Sequence, residues 1–213
     1  VSGNGQRELA EAINGLRKVE SGTIEFFGSA IENLSPHDVI KEGMGYIPEE
    51  RNIEGIVPPF IIKENFILKD SEHDSFSKRH ILKKKNIHEN AVQLKDEFDI
   101  RCPDVNTAAG ALSGGNIQKV ILARELTRQP KFLIAVYPTR GLDMGAIEFI
   151  HKELLKKRKE GIGILLISEE LDEIMNLSDR IAVIYKGQIQ KVLNHDEATR
   201  AELGVLMAGV HHE

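Results

Sequence analysis

Tryptophan is absent from this sequence, and cysteine occurs once, at Cys102. A lone cysteine has no partner for an internal disulfide, so a disulfide-stapled scaffold is excluded and a reducing compartment is expected. Eight histidines are present, yet none has metal-ligand spacing. His88-Glu89 lacks a second histidine four residues after the first, so a site of protein ligands alone is not expected. No apolar run approaches the roughly 18 residues of a membrane-spanning helix, and no signal peptide is read. A basic excess is also missing: the net charge is -5, which argues against a dedicated nucleic-acid binder. Aromatics make up only 5%, but hydrophobic residues reach 41%, too many for a disordered chain. With 213 residues the chain can build one large domain or two small ones, and needs no staples. Its first residue is Val1, which suggests a piece of something longer. A soluble intracellular α/β domain is expected.

The C-terminal half shows the clearest pattern. Phe132 to Val136 is a short apolar run, the mark of a strand buried on both faces. Residues 145–160 turn helical, with Ile147, Ile150 and Leu154 on one stripe. Gly161 and Gly163 end that helix, and Ile164 to Ile167 reads as a second buried strand. Leu171 to Met175 reads as a short helix. Ile181 to Tyr185 is a third strand, with Lys186-Gly187 as a tight turn into Gln188-Ile189. This succession predicts a βαβ unit and a parallel sheet covered by helices. In the other half, Gln6 to Leu16 reads as a helix, and Thr23 to Phe27 and Met44 to Ile47 as strands. Glu49 to Pro59 and residues 106–116 read as loops, and Ser77 to Phe98 as one or two charged helices. The layout is an α/β core, residues 1–60 and 126–213, carrying a helical insert at 61–125.

Two glycine-bearing segments hold the chemistry. The first runs Val1-Ser2-Gly3-Asn4-Gly5-Gln6-Arg7. Glycines before a helix let backbone N–H groups face an anion, aided by the helix dipole. A phosphate loop of the G-x-x-x-x-G-K-[ST] type needs Lys and a hydroxyl after its last glycine, and Gln6 and Arg7 stand there instead. An ordinary glycine turn is an equally open reading. The second is Leu112-Ser113-Gly114-Gly115-Asn116, which opens a helix at Ile117. Ser113 is either a helix cap or a phosphate contact. The order that follows is telling: an apolar strand ending at Val136, then Pro138-Thr139-Arg140-Gly141-Leu142-Asp143.

With these residues together, the sequence resembles the ATP-binding cassette family. LSGGN matches the signature motif, and PTRGLD matches the segment between the Walker B strand and the D-loop. Ser168-Glu169-Glu170-Leu171 matches the switch region, and Met44 to Arg51 sits at the Q-loop. PEER, LSGGN-x-QKV and PTRGLD-x-GA look most like the C-terminal cassette of importers for simple sugars and nucleosides. The resemblance implies a P-loop NTPase-like α/β fold: a mostly parallel sheet flanked by helices, with a helical signature subdomain. It implies ATP and Mg²⁺ as cofactors of the whole assembly. It also implies a second cassette paired head to tail, transmembrane permease subunits, an extracellular solute-binding protein reached indirectly, and a peripheral place on the cytoplasmic face of the membrane.

The departures from the family pattern matter equally. Gln6 and Arg7 replace the phosphate-binding Lys and the Mg²⁺-binding hydroxyl. Val136 and Tyr137 stand where the Walker B Asp-Glu belongs, and a phenol of reference pKa about 10 is no general base near neutral pH. Glu169 takes the switch His position, and Glu49 the Q-loop Gln position. Phosphoryl transfer depends on such positioning and charge, so no intact catalytic set is expected here, and the isolated chain should be a weak or inactive ATPase. The nucleotide contacts expected are Gly3, Asn4, Gly5, Gln6 and Arg7, and, toward a partner's site, Ser113, Gly114, Gly115 and Asn116. Asp143 is expected at the cassette interface or as a helix cap. A cassette acting on nucleic acid or the ribosome is the alternative, and the acidic charge speaks against it. His211-His212 is assigned no role, the Lys83 to Lys85 run reads as a solvated helix face, and Cys102 reads as a packing residue.

Overall fold

The computed structural model describes residues 3–209. Val1, Ser2 and His211-His212 therefore lie outside the described residues. In chain order the elements are α1 (Gln6–Ile13), β1 (Glu25–Phe26), β2 (Ser29–Ala30), α2 (Pro36–Glu42), β3 (Met44–Ile47), α3 (Ile62–Phe66), β4 (Ser77–Lys78) and β5 (Ile81–Leu82). They continue with α4 (Lys84–Glu97), α5 (Gly114–Thr127), β6 (Phe132–Val136), α6 (Met144–Lys159), β7 (Gly163–Ile167), α7 (Leu171–Leu177), β8 (Arg180–Tyr185), β9 (Gln188–Asn194) and α8 (Arg200–Met207). The chain divides into two compact units: residues 1–46, 131–137 and 163–213, and residues 47–130 and 138–162.

The first unit is built on a three-stranded sheet in the order β3-β6-β7. β6 and β7 run parallel, paired from Phe132↔Gly163 to Val136↔Ile167. The run FLIAV is a strand because β6 is central: Leu133, Ile134, Ala135 and Val136 are all buried. α1 packs on β6, with Ala10 in one core with Phe26, Ile31, Val39, Met44 and Ile134. β7 departs from the expected fully buried strand, since Ile164, Leu165 and Leu166 are only half-buried. It has one sheet neighbour among the described residues, which leaves its outer side uncovered. The third expected strand also differs. β8 pairs antiparallel with β9 in a separate sheet, from Arg180↔Asn194 to Tyr185↔Gln188. Its alternating burial over Arg180 to Val183 is that of a one-sided hairpin, and Lys186 and Gly187 turn it with positive φ.

The second unit is mainly helical. α3 packs against α4 and α5, and α5 packs against α6. Its apolar filling includes Ile87, Ala91, Leu94, Val120, Ile121 and Ile150, all buried. Two loop or helix expectations are corrected here. Residues 49–59 contain a single π-helical turn, Arg51–Gly55. The stretch 77–98 begins with the hairpin β4–β5, and only Lys84 onward is helical. Arg79 and His80 take φ of 50° and 63°, which reverses the chain and stops a helix from starting at Ser77.

Beneath α5 lies a charge cluster centred on a fully buried carboxylate. Glu125 is buried and accepts from Lys69 Nζ at 2.7 Å and from Arg124 Nε at 3.0 Å. Arg124 also donates to the Asn65 carbonyl at 3.4 Å, and Arg128 pairs with Asp70 at 2.6 Å. Burial pushes the Lys69 ammonium below its ordinary range, opposed by the Glu125 charge. Burial likewise raises Asp70, opposed by Arg128. These pairs tie the residues after α3 to the last turns of α5. Removing Glu125 leaves the buried Arg124 guanidinium without its carboxylate partner. Glu125→Ala is expected to cost about 3–5 kcal/mol in urea unfolding, whereas Ile81→Ala, at an exposed position, is expected to stay within about 0.5 kcal/mol.

Candidate functional site

The glycine loop opens α1. Gly5 caps the helix at φ 105°, with Gly3 at φ 83°, conformations that cost a side-chain-bearing residue about 1–2 kcal/mol. A Cβ on Gly5 would lie 3.1 Å from the Gly187 Cα, so the loop sits directly on the β8–β9 turn. Asn4 fastens it there. The Asn4 Oδ1 accepts from the Lys186 N–H at 3.0 Å, and its carbonyl accepts from the Gly187 N–H at 2.8 Å. The Asn4 N–H donates to Gln6 Oε1 at 2.9 Å. In a phosphate loop such a donor faces the anion; here the side chain at the Lys position takes it. Arg7 points along the helix and pairs with Glu11 at 2.7 Å. With Arg17 also bound to Glu11, the carboxyl is held below its usual range.

The two Walker B positions are part of the apolar core. Val136 and Tyr137 are both buried and pack with Ala10 and Ile134. Tyr137 has φ 46°, unusual for a bulky residue, and its N–H donates to the Ile167 carbonyl at 2.8 Å. Glu169 is half-buried just after β7.

The second unit draws together the other expected residues. Ser113 caps α5: its Oγ accepts from Asn116 Nδ2 at 2.9 Å and, at 3.5 Å, from the Asn116 N–H. Asn116 Oδ1 accepts in turn from the Arg101 N–H at 2.8 Å. Asp143 caps α6, its Oδ1 accepting from the Ala146 N–H at 3.0 Å. Gly115 lies where the two helix starts meet: a Cβ there would be 3.0 Å from Ala146 Cβ and 3.5 Å from Asp143 Oδ2. The cap and interface readings of Asp143 thus share one side chain.

Two arginines that the sequence reading passed over hold this region. Arg51 Nη1 donates to the Arg140 carbonyl at 2.8 Å, and Arg140 Nη1 pairs with Glu49 Oε1 at 2.8 Å. A Cβ on Gly114 would lie 3.0 Å from Arg51 Nη2. Arg51 Nε is buried without a hydrogen-bond partner, a cost of about 1–3 kcal/mol that the packing must offset. Glu49, Gly114 and Asp143 therefore belong to one connected patch, with Arg51 as its strut. The only sequence signal was the position of Arg51 and Arg140 inside motifs, since spacing alone does not bring residues 51 and 140 together. Cys102 is free and half-buried, and burial pushes its thiol up, as suits a packing residue.

Comparison with known proteins follows from this geometry. Residues 1–140 match the family model described as ABC transporter. A guanosine import ATP-binding protein of Bacillus subtilis is 51% identical over 98% of this chain and 41% of its own length. A nucleoside import ATP-binding protein of Lactococcus lactis is 46% identical over 98% of this chain, again 41% of its own length. A ribose import ATP-binding protein of Lactococcus lactis is 37% identical over 98% of this chain and 42% of its own length. The chain thus spans about two fifths of the length of these relatives. In fold it is similar to a dimeric ATP-binding cassette in a post-hydrolysis state bound to ADP and Pi, with TM-score 0.77, 20% identity, and 92% and 82% of the two chains covered. A nucleotide-free cassette from an ABC transporter gives TM-score 0.75 at 21% identity, with 98% of this chain and 81% of that chain covered.

Two expectations test the local geometry. Gly115→Ala should destabilise the protein by about 1–3 kcal/mol, since the new methyl meets Ala146 on a helix rather than a flexible tip; chemical unfolding reads this. Arg7→Ala should raise the Glu11 carboxyl toward its ordinary range, read by NMR titration. The stability from that pair is present above the unfolded-state carboxyl pKa and is lost as pH falls through the lower folded value.

Proposed function

This chain belongs to the ABC transporter family, and from that premise we propose that it is the ATP-binding cassette of an importer for a nucleoside or simple sugar. In this reading its nucleotide chemistry is lopsided. Its own glycine loop is a poor holder of Mg-ATP, and its signature turn completes the nucleotide site of a second cassette. The observation that carries this is the contrast between the two glycine segments. The Asn4 N–H is already taken by Gln6 Oε1, whereas the Ser113 turn heads a 14-residue helix and is braced by Arg51 and Asn116.

The residues present do not fit a bound Mg²⁺. The metal needs hard oxygen ligands; the positions concerned offer the Arg7 guanidinium, the Val136 methyls and a buried Tyr137. No catalytic step is assigned to them, and the isolated chain hydrolyses ATP weakly or not at all. The signature side suits an anion. Ser113 supplies a hydroxyl, and the first N–H groups of α5 add donors with the favourable end of the helix dipole. Facing a nucleotide held by the partner, these groups would bind and orient its terminal phosphate. ATP supplies the phosphoanhydride there, and this chain supplies position and charge.

Two exposed apolar side chains suit the partners this implies. Ile53, on the Arg51–Gly55 turn, is 78% exposed, and Met144, next to Asp143, is 70% exposed. We assign the first to a transmembrane permease and the second to the head-to-tail cassette. Relatives more than twice as long leave room for that second cassette in one polypeptide. An extracellular solute-binding protein would act only through the permease. Residues 61–125 then serve as the signature subdomain, and 1–60 with 126–213 as the core. No helix among the described residues is long and apolar enough to cross a membrane, which suits a peripheral subunit on the cytoplasmic face.

ATP turnover by the full polypeptide that carries this chain tests the assignment. Ser113→Arg places a guanidinium where the partner's terminal phosphate belongs and should lower turnover by about 10²-fold or more. Gln6→Ala should leave turnover within about twofold, because the loop it lies in carries no chemistry. The reverse pattern, with Gln6→Ala damaging and Ser113→Arg silent, would refute the lopsided reading.

A further inference from the structure

The β4–β5 hairpin plays no part in either nucleotide segment. We propose that it is a contact for an anionic phospholipid surface, with Ile81 and Leu82 entering the headgroup boundary and the flanking basic groups pairing with lipid phosphates. The proposal rests on the hairpin alone and stands whether or not the signature completes a partner's site.

Composition comes first. Between Ser75 and His88 the sequence holds Lys78, Arg79, Lys83, Lys84 and Lys85 and no acidic residue, in a chain whose net charge is -5. The sequence reading took the Lys83 to Lys85 run for a solvated helix face. In the structure Lys84 and Lys85 are exposed at the start of α4, as that reading expects, while Lys83 follows a hairpin strand, Ile81–Leu82, that is apolar and leaves the Arg79-His80 turn. Ile81 is 73% exposed and Leu82 47% exposed. Register explains the arrangement. Ser77 pairs with Leu82 and Lys78 with Ile81, so Ile81 and Lys78 share one face. Ser77 and Leu82 share the opposite face, where Ser77 is buried and Leu82 stays exposed at the strand end, so apolar surface is offered on both sides of the hairpin.

The basic groups are available. Lys83 is fastened to the Asp74 carbonyl at the hairpin base, and Lys85 makes only a loose 3.8 Å pair with Glu89. Lys78, Arg79 and Lys84 make no ion pair or side-chain hydrogen bond among the described residues. With Ile81, Leu82 and Lys83, the first two line an open concavity of about 450 Å³. Cationic groups beside exposed apolar side chains match a phosphate headgroup above the start of its acyl chains.

The turn itself is a second, independent sign. Both of its central residues, Arg79 and His80, have positive φ. Such two-residue turns favour Asn-Gly, because other side chains are strained there. The position thus retains a basic side chain at a conformational cost, a pattern found where the residue has work beyond the fold. Nucleic acid is a poorer match, since exposed Ile81 and Leu82 offer a base no hydrogen bond and the net charge of the chain is -5.

The test is co-sedimentation of the purified protein with phosphatidylcholine vesicles, with and without about one third phosphatidylserine. Binding to the anionic vesicles is expected, with little binding to the neutral ones. It should weaken as salt rises, since the Debye length shrinks from about 10 Å at 0.1 M to about 3 Å at 1 M. Each basic residue near an anionic surface contributes roughly a fivefold factor in partitioning. Lys78→Gln with Lys84→Gln should therefore weaken binding about 25-fold. Ile81→Ser with Leu82→Ser should weaken it by about tenfold or more. Arg79→Asn with His80→Gly separates fold from function: it should raise the melting temperature yet weaken partitioning about fivefold. Equal binding to neutral and anionic vesicles would overturn the proposal. So would unchanged partitioning in these variants, competition by millimolar inorganic phosphate as effective as by lipid, or tighter binding to a short RNA than to the vesicles.

Discussion

Two helix starts meet at Gly115, and the geometry of the signature patch depends on that meeting. The α5 and α6 N-termini can approach only because residue 115 has no side chain to hold them apart from Ala146. The Asp143 cap then comes within 3.5 Å of where a Gly115 Cβ would stand, two residues along from the Ser113 cap. Arg51 and Arg140 close the patch from the other side, linking it to Glu49. The buried pairs around Glu125 anchor the far end of α5. A helix fixed at both ends aims its first turn in one direction. That is the condition for donors to act on a phosphate without paying to reorganise.

The glycine loop before α1 makes the opposite point. The Gly3 to Gly5 turn has the backbone shape of an anion loop, and its helix follows directly. Shape alone does not give a binding site. Gln6 folds back onto the Asn4 N–H, Arg7 turns to Glu11, and Asn4 is bound to the β8–β9 turn. The Asn4, Gln6 and Arg7 side chains are each engaged within the chain. The substitutions at Val136 and Tyr137 follow the same logic, for both side chains have joined the core.

Much of the fold was legible because it is local. FLIAV at residues 132–136 could only be a strand buried on both faces, and the helix after Asp143 carried its own cap. The family was legible in LSGGN and PTRGLD. What escaped was non-local or conformational. Whether a strand lies centrally or at a sheet edge is decided by its neighbours, so β7 read as buried and β8 as part of the parallel sheet. The β4–β5 hairpin escaped because its turn uses Arg-His where Asn-Gly would have announced it. At the site, Ser113 and Asp143 were visible as caps, but the Arg51–Arg140–Glu49 chain joins residues about 90 positions apart. Nothing in the spacing of charged residues reports such a pairing.

Gln6 carries a further consequence for folding. A ligand stabilises a protein only through what it binds in the native state and not in the unfolded one. A loop whose Asn4 N–H is met by Gln6 and whose Asn4 side chain is fastened to the β8–β9 turn holds its shape by contacts within the chain, so that shape does not wait on a ligand.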